Sequence, residues 1–232
     1  MASAIIVAAG SGLRMKSARP KQYLDLAGVP VLTRTLMVFD DHPGIENIFL
    51  VVSPGEIEFC REKILSKARW EKEIILVPGG KERQDSVYEG LKAAGGYMED
   101  DDIILIHDGV RPLVAQELIT ACIACAEKSG ACIPGIPASD TLKQVNSDGM
   151  IVSTVSRENI WFAQTPQAFS LKRIREGFEY AFANRLSLTD DAAVLEMYGL
   201  PVRMIPGKRN NIKITTPEDL HIAAALLENI EK

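Results

Sequence analysis

The chain has 232 residues, a formal net charge of −5, 47% hydrophobic residues and 25% charged ones. That composition suits a globular protein with a sizeable core, and the acidic balance excludes the broad basic field of a nucleic-acid surface. No apolar run reaches the roughly 18–20 residues of a membrane-spanning helix. The opening MASAIIVAAGSG lacks the basic start of a secretory signal, so the expected compartment is the cytoplasm.

From the N terminus, SAIIVAAG, ENIFLVVS, EIILVPGG, DDIILIHD and GACIPGIP are short apolar runs ending in small or polar residues. Between them, VLTRTLMVFDD, GEIEFCREKILSKA, RQDSVYEGLKAAG and AQELITACIACAEKSG carry apolar residues three and four apart. Buried strands alternating with helices predict an α/β fold: a Rossmann-like, mostly parallel sheet with helices on both faces. Cys122 and Cys125, in CIAC, share an apolar helical face and read as buried thiols rather than half of a zinc site.

The alternation stops after Pro137. ASDTLKQV, the turn NSDG and MIVSTVSREN predict a projecting β-hairpin arm over 138–158, within one domain spanning 1–232. A two-stranded hairpin is marginal alone in water, so the arm is expected to dimerise with the arm of a second copy. WFAQTPQAF then re-enters the core, followed by helices near 170–182 and 190–198. VRMIPG and NIKIT read as a β-hairpin-like pair. The last helix opens with Thr216 as N-cap and Pro217 at its first position.

In open α/β sheets ligands bind beyond the carboxyl ends of the strands, and the unusual segments lie there. Residues 7 to 23, VAAGSGLRMKSARPKQY, set Arg14, Lys16, Arg19 and Lys21 behind Gly10-Ser11-Gly12, with no acid among them. Met15 stands where a dinucleotide fingerprint needs its third glycine, which disfavours a dehydrogenase, and the P-loop pattern also fails. What remains is a small-residue turn whose N–H groups can line a phosphate chain, with Arg14 and Lys21 to pair its oxygens. Lys21 alone reads equally as a snorkelling surface lysine, Arg83 as a structural ion-pair partner, and His107 as a packed core imidazole.

The string A-A-G-x-G-x-R-M followed by K-Q-Y is more specific, and it resembles nucleotidyltransferases with a glycosyltransferase A-like fold. With GGKERQDSV (79–87), IHDGVRP (106–112), DTLK (140–143), QTPQAF (164–169), TDDA (189–192) and NIKITTPEDL (211–220), the chain resembles the 2-C-methyl-D-erythritol 4-phosphate cytidylyltransferases of the non-mevalonate isoprenoid pathway. The resemblance implies transfer of CMP from CTP to that polyol phosphate, with Mg²⁺ on the triphosphate and a homodimer formed through the arm.

By resemblance, Ala8, Ala9, Gly10, Ser11 and Gly12 match the triphosphate loop. Lys21, Lys213 and Arg14 match its catalytic cations, and Gly80 and Ser86 the cytosine readers. Asp108 and Gly109 fall at the nucleotide, Asp108 also being the candidate metal ligand. Asp108, Arg111, Thr141, Arg157, Thr165 and Thr189 match substrate positions, Arg157 reaching across the dimer. Each threonine also reads as an ordinary cap or turn residue. The family usually has Ala-Ala where this chain has Gly109 and Val110. A valine there also occurs in ribitol-phosphate cytidylyltransferases, which makes ribitol 5-phosphate the alternative acceptor. A non-catalytic nucleotide-binding protein is disfavoured, because binding alone does not need Lys21, Lys213 and Arg157 together.

Overall fold

Strand β1 (Ala2–Val7) turns Ala4 and Ile6 to one face and Ile5 to the other, all three fully buried. This period of two with apolar residues on both sides marks a central strand. The computed structural model describes residues 1–10 and 20–230, the side chain of Ile230 excepted. After a single 3₁₀ turn at Lys21–Tyr23 come the short ribbon β2 (Asp25–Leu26) and β3 (Val29–Pro30), then α1 (Val31–Asp40). Strand β4 (Asn47–Val52), α2 (Ile57–Lys63), β5 (Glu73–Pro78), α3 (Arg83–Ala94) and β6 (Ile103–Asp108) continue the alternation. Helix α4 (Gln116–Ser129) and β7 (Ala131–Pro137) complete it.

Strands β5, β4, β1 and β6 lie side by side and parallel, as their uninterrupted apolar sequences predict. Helices α1, α2 and α4 cover one face through Leu36, Phe39, Cys60 and Ile119. Helix α3 covers the other through Val87 and Leu91, beside α5 (Leu171–Ala183) and α6 (Ala192–Met197). A Cβ at Gly90 would meet Ile5 Cγ2 at 2.8 Å, so glycine there lets α3 lie close against β1.

Beyond β6 the order departs from a simple parallel sheet. Strand β11 (Gln167–Ser170) wedges between β6 and β7 and runs antiparallel to both. Strand β10 (Trp161–Ala163) pairs antiparallel with β7, and β12 (Arg203–Pro206) pairs parallel with it. The predicted VRMIPG–NIKIT hairpin is therefore corrected. VRMIPG joins β7, whereas residues 211–215 form no strand and meet the turn after β6, with Ile214 N–H donating to Val110 O at 2.9 Å. Helix α7 (Pro217–Ile230) begins at the predicted proline, and Asp219 Oδ2 accepts the N–H groups of Thr215 (2.8 Å) and Thr216 (2.9 Å). Its Ala223 and Leu227 pack with Leu26, Val110 and Ile214 beneath the same strand ends.

Among the described residues, strands β8 (Leu142–Val145) and β9 (Ile151–Val155) pair only with each other, with a bulge at Gln144/Val145. Every residue of β9 is exposed, Ile151 to 64% and Val152 to 62%. Of the CIAC thiols, Cys122 is fully buried with Sγ donating to Pro166 O, whereas Cys125 is half-buried against Ser129. Among the described residues no helix is long and apolar enough to cross a membrane.

Candidate functional site

The C-terminal ends of β1, β5 and β6 open onto a cavity of about 290 Å³. It is lined by Ala8, Ala9, Gly10 and Lys21, by Gly80, Arg83 and Ser86, and by Asp108, Val110 and Lys213. A second cavity of about 310 Å³ adjoins it, lined by Arg111, Gln164, Thr165, Thr189 and Asp190. Arg83, Asp108 and Lys213 belong to both. They form the shared wall.

Asp108 ends β6, where its carboxylate meets three cations. Lys213 Nζ lies 2.9 Å from Oδ2, Arg111 Nε 3.5 Å from Oδ2 and Arg83 Nε 3.3 Å from Oδ1. Burial alone would raise this carboxyl, but Arg83, Lys213 and Arg111 hold it far below the usual carboxylate range. Arg83 is also forked onto Asp191 at 2.7 and 2.8 Å, a bidentate geometry that fixes the guanidinium plane. Asp191 is buried, which pushes its carboxyl upward, while Arg83 opposes that rise. Its position comes from β11: Gln167 Oε1 accepts the N–H groups of Asp191 and Ala192, and Gln167 Nε2 donates to Asp190.

The β6 turn is stitched to residues 211–214 and to the β10–β11 connection. Arg111 Nη1 donates to Asn211 O at 2.7 Å, and Asn211 Nδ2 donates to Thr165 O at 2.8 Å. His107 Nε2 is 3.1 Å from Arg111 O, and a carbonyl can only accept, so that nitrogen carries the proton. Nδ1 then accepts from the Thr165 hydroxyl at 2.9 Å, whose oxygen in turn accepts the Asp108 N–H at 3.1 Å. Burial lowers the His107 pKa to about 4, keeping the ring neutral and the proton order fixed. The imidazole is thus the packed core group that its sequence context predicts.

Ser86, in the first turns of α3, accepts from Gly80 N–H at 3.2 Å and donates to Glu82 O at 3.0 Å. The cap itself is Glu82, in a reciprocal box with Asp85, so Ser86 is free of capping duty. At Gly109 a methyl would meet Leu32 Cδ1 at 3.0 Å and Ala8 Cβ at 3.2 Å. Leu32 fills the room that an alanine would take, which accounts for glycine at this position. Val110 is buried against α7 and also reaches the first cavity.

Of the residues matched by sequence, the first cavity gathers Ala8, Ala9, Gly10, Lys21, Gly80, Ser86, Asp108 and Lys213. The second gathers Arg111, Thr165 and Thr189 around Asp108 and Lys213. Thr141 and Arg157 line neither; Arg157 stands at the base of the arm, where Nη1 donates to Ser139 O. Ser11, Gly12 and Arg14 lie outside the described residues. Sequence reasoning assigned no site role to Gln22, Gln164, Gln167, Asp191 or Asn211. Arg83 it left as an ion-pair partner, without naming the partner.

A family model described as 2-C-methyl-D-erythritol 4-phosphate cytidylyltransferase matches residues 2–229. The protein of that name from Syntrophus aciditrophicus is 46% identical over 98% of this chain and 96% of its own. Among solved structures, 4-diphosphocytidyl-2C-methyl-D-erythritol synthase from Anaerococcus prevotii superposes with a TM-score of 0.83 at 35% identity, covering 98% of this chain and 96% of that one. The cytidylyltransferase from Thermus thermophilus gives 0.79 at 30% identity, covering 98% and 100%. With the sheet, the paired cavities and a match along almost its whole length in agreement, the chain belongs to the 2-C-methyl-D-erythritol 4-phosphate cytidylyltransferase family.

Proposed function

We propose that this protein transfers CMP from CTP to 2-C-methyl-D-erythritol 4-phosphate, yielding 4-diphosphocytidyl-2-C-methyl-D-erythritol and pyrophosphate. The observation that carries this reading is the pair of cavities sharing Arg83, Asp108 and Lys213. CTP occupies the one bordered by the glycine turn, and the polyol phosphate the one bordered by Arg111 and Thr189. The attacking group is a phosphate oxygen already ionised near neutral pH, so no general base is needed. Catalysis then rests on alignment and on cations facing charge that develops at the α-phosphorus. Lys21 and Arg14 serve the triphosphate. Lys213 and Arg111 steer the acceptor phosphate, and Thr165 and Thr189 meet its hydroxyl side. Gly80 and Ser86 read the cytosine edge, while Ser11, Gly12 and Gly109 fall by family match at positions that meet the nucleotide.

The carboxylates present suit Mg²⁺ carried in on CTP. Among the described residues no group of three His, Cys, Asp or Glu could cage a metal, yet Asp108 and Glu82 both border the first cavity. Mg²⁺ typically takes one or two carboxylates plus substrate phosphates, and Asp108 is the residue offered here. When bound, the ion offsets charge on the phosphates of CTP.

Residues 1–232 act in this reading as one catalytic domain, with 138–158 as its dimerising arm. An isolated two-stranded sheet with exposed Ile151, Val152 and Met150 supports pairing with a second copy. Arg157 and Thr141 then complete the neighbouring subunit's acceptor cavity. Pyrophosphate release with CTP, Mg²⁺ and either methylerythritol 4-phosphate or ribitol 5-phosphate tests the function. Release with the first acceptor is expected. Release only with the second changes the substrate, and release with neither refutes the activity.

A further inference from the structure

Three successive carbonyls at the entry of the glycine turn are each held by a side chain from elsewhere. Gln22 Nε2 donates to Ala8 O at 2.7 Å and to Gly10 O at 3.3 Å, and Ser53 Oγ donates to Ala9 O at 3.0 Å. Gln22 is only 1% exposed, and it directly follows Lys21 at the exit of the basic segment. One amide nitrogen therefore ties the two ends of that segment together.

Two physical consequences follow. A carbonyl oxygen carries partial negative charge, so one swung toward a triphosphate would repel it. In a planar trans peptide the N–H points opposite to the C=O. Fixing Ala8 O and Ala9 O on Gln22 and Ser53 thus sends the N–H groups of Ala9 and Gly10 away from those anchors. A turn with fixed N–H groups is a preorganised anion site; a turn free to flip its peptides must be reordered at each binding event.

We propose that Gln22 and Ser53 are positioning residues that set the polarity of this turn. They hold its carbonyls back so that its N–H groups meet the phosphates of the nucleotide, and Gln22 also fixes the backbone that carries Lys21. This rests on the reading of the first cavity as the CTP site. The Gln22 amide is the group that matters, since both contacts use its donor.

The test is equilibrium titration of the full-length protein with CTP and, separately, with cytidine, which lacks every phosphate. Gln22→Met keeps the length of the side chain and removes the donor. It should weaken CTP about tenfold while moving cytidine by less than about twofold, the loss of one or two supported hydrogen bonds. Ser53→Ala should show a smaller weakening with the same selectivity, and it decides the question alone if Gln22→Met does not fold. Equal losses for the two ligands, or none, overturn the positioning role. Wild-type protein that binds no CTP overturns the cavity reading as well, a different result from wild-type binding retained in both variants.

Discussion

Asp108 is held by Arg83, Arg111 and Lys213, and behind it stands a buried histidine that cannot be charged without giving up the bond it accepts from Thr165. With its pKa lowered to about 4 in the fold against 6.5 in the open chain, His107 binds its proton only when unfolded across that interval. Its contribution is therefore fully present above pH 6.5 and is lost as pH falls toward 4. Between pH 7 and pH 5 the wild type should lose about 2 kcal/mol more stability than His107→Gln, read from urea midpoints at both pH values. Equal losses would show that the imidazole is not held neutral. The glycine turn, Asp108 and Lys21 were legible in the sequence because charged or small residues cluster there beyond strand ends, and Lys213 was legible only through the family resemblance, in a basic stretch free of acids. Gln22 and Asp191 were not. A buried glutamine among cations looks like a spacer, and Arg83 meets Asp191 across 108 positions that no local pattern links.

Strands and helices with a clean period of 2 or 3.6 fell where their apolar residues predict. Residues 211–215 did not, because alternation there reflects burial of Ile214 under α7 while Lys213 faces the site. Their N–H groups go to Lys208, Asn210, Val110 and Asp219 instead of to a ladder. Strand β11 was legible as a core segment, but its antiparallel insertion between β6 and β7 depends on pairings distant in sequence. That strand has a second duty: through Gln167 it anchors the start of α6, and so Asp191 and Arg83. Gln167→Leu leaves the buried N–H groups of Asp191 and Ala192 without an acceptor. The urea midpoint should drop by the equivalent of about 1–3 kcal/mol, with the slope of the transition unchanged. An unaltered midpoint would mean the α6 turn finds another acceptor.

At the scale of the whole molecule, the exposed apolar residues of β9 leave the proposed pairing of arms open to a direct test. If each acceptor cavity takes Arg157 from its partner, Lys21→Ala and Arg157→Ala homodimers should each lose about 100-fold or more in turnover. Mixed dimers of the two should regain activity, because one of the two sites then combines an intact Lys21 with the partner's intact Arg157. Verified mixed dimers without any recovery would place Arg157 outside the partner's site. The wall between the two cavities carries a different consequence. Arg83, Asp108 and Lys213 line both cavities, so an anion entering either one meets the field of the same two cations and the carboxylate they hold. If nucleotide and acceptor take the two cavities as proposed, whatever factor nucleotide imposes on the affinity for acceptor, acceptor must impose on nucleotide in equal measure. On that assignment, a partition built from charged side chains would act as a coupling element, passing occupancy from one room to the other through its own electrostatics.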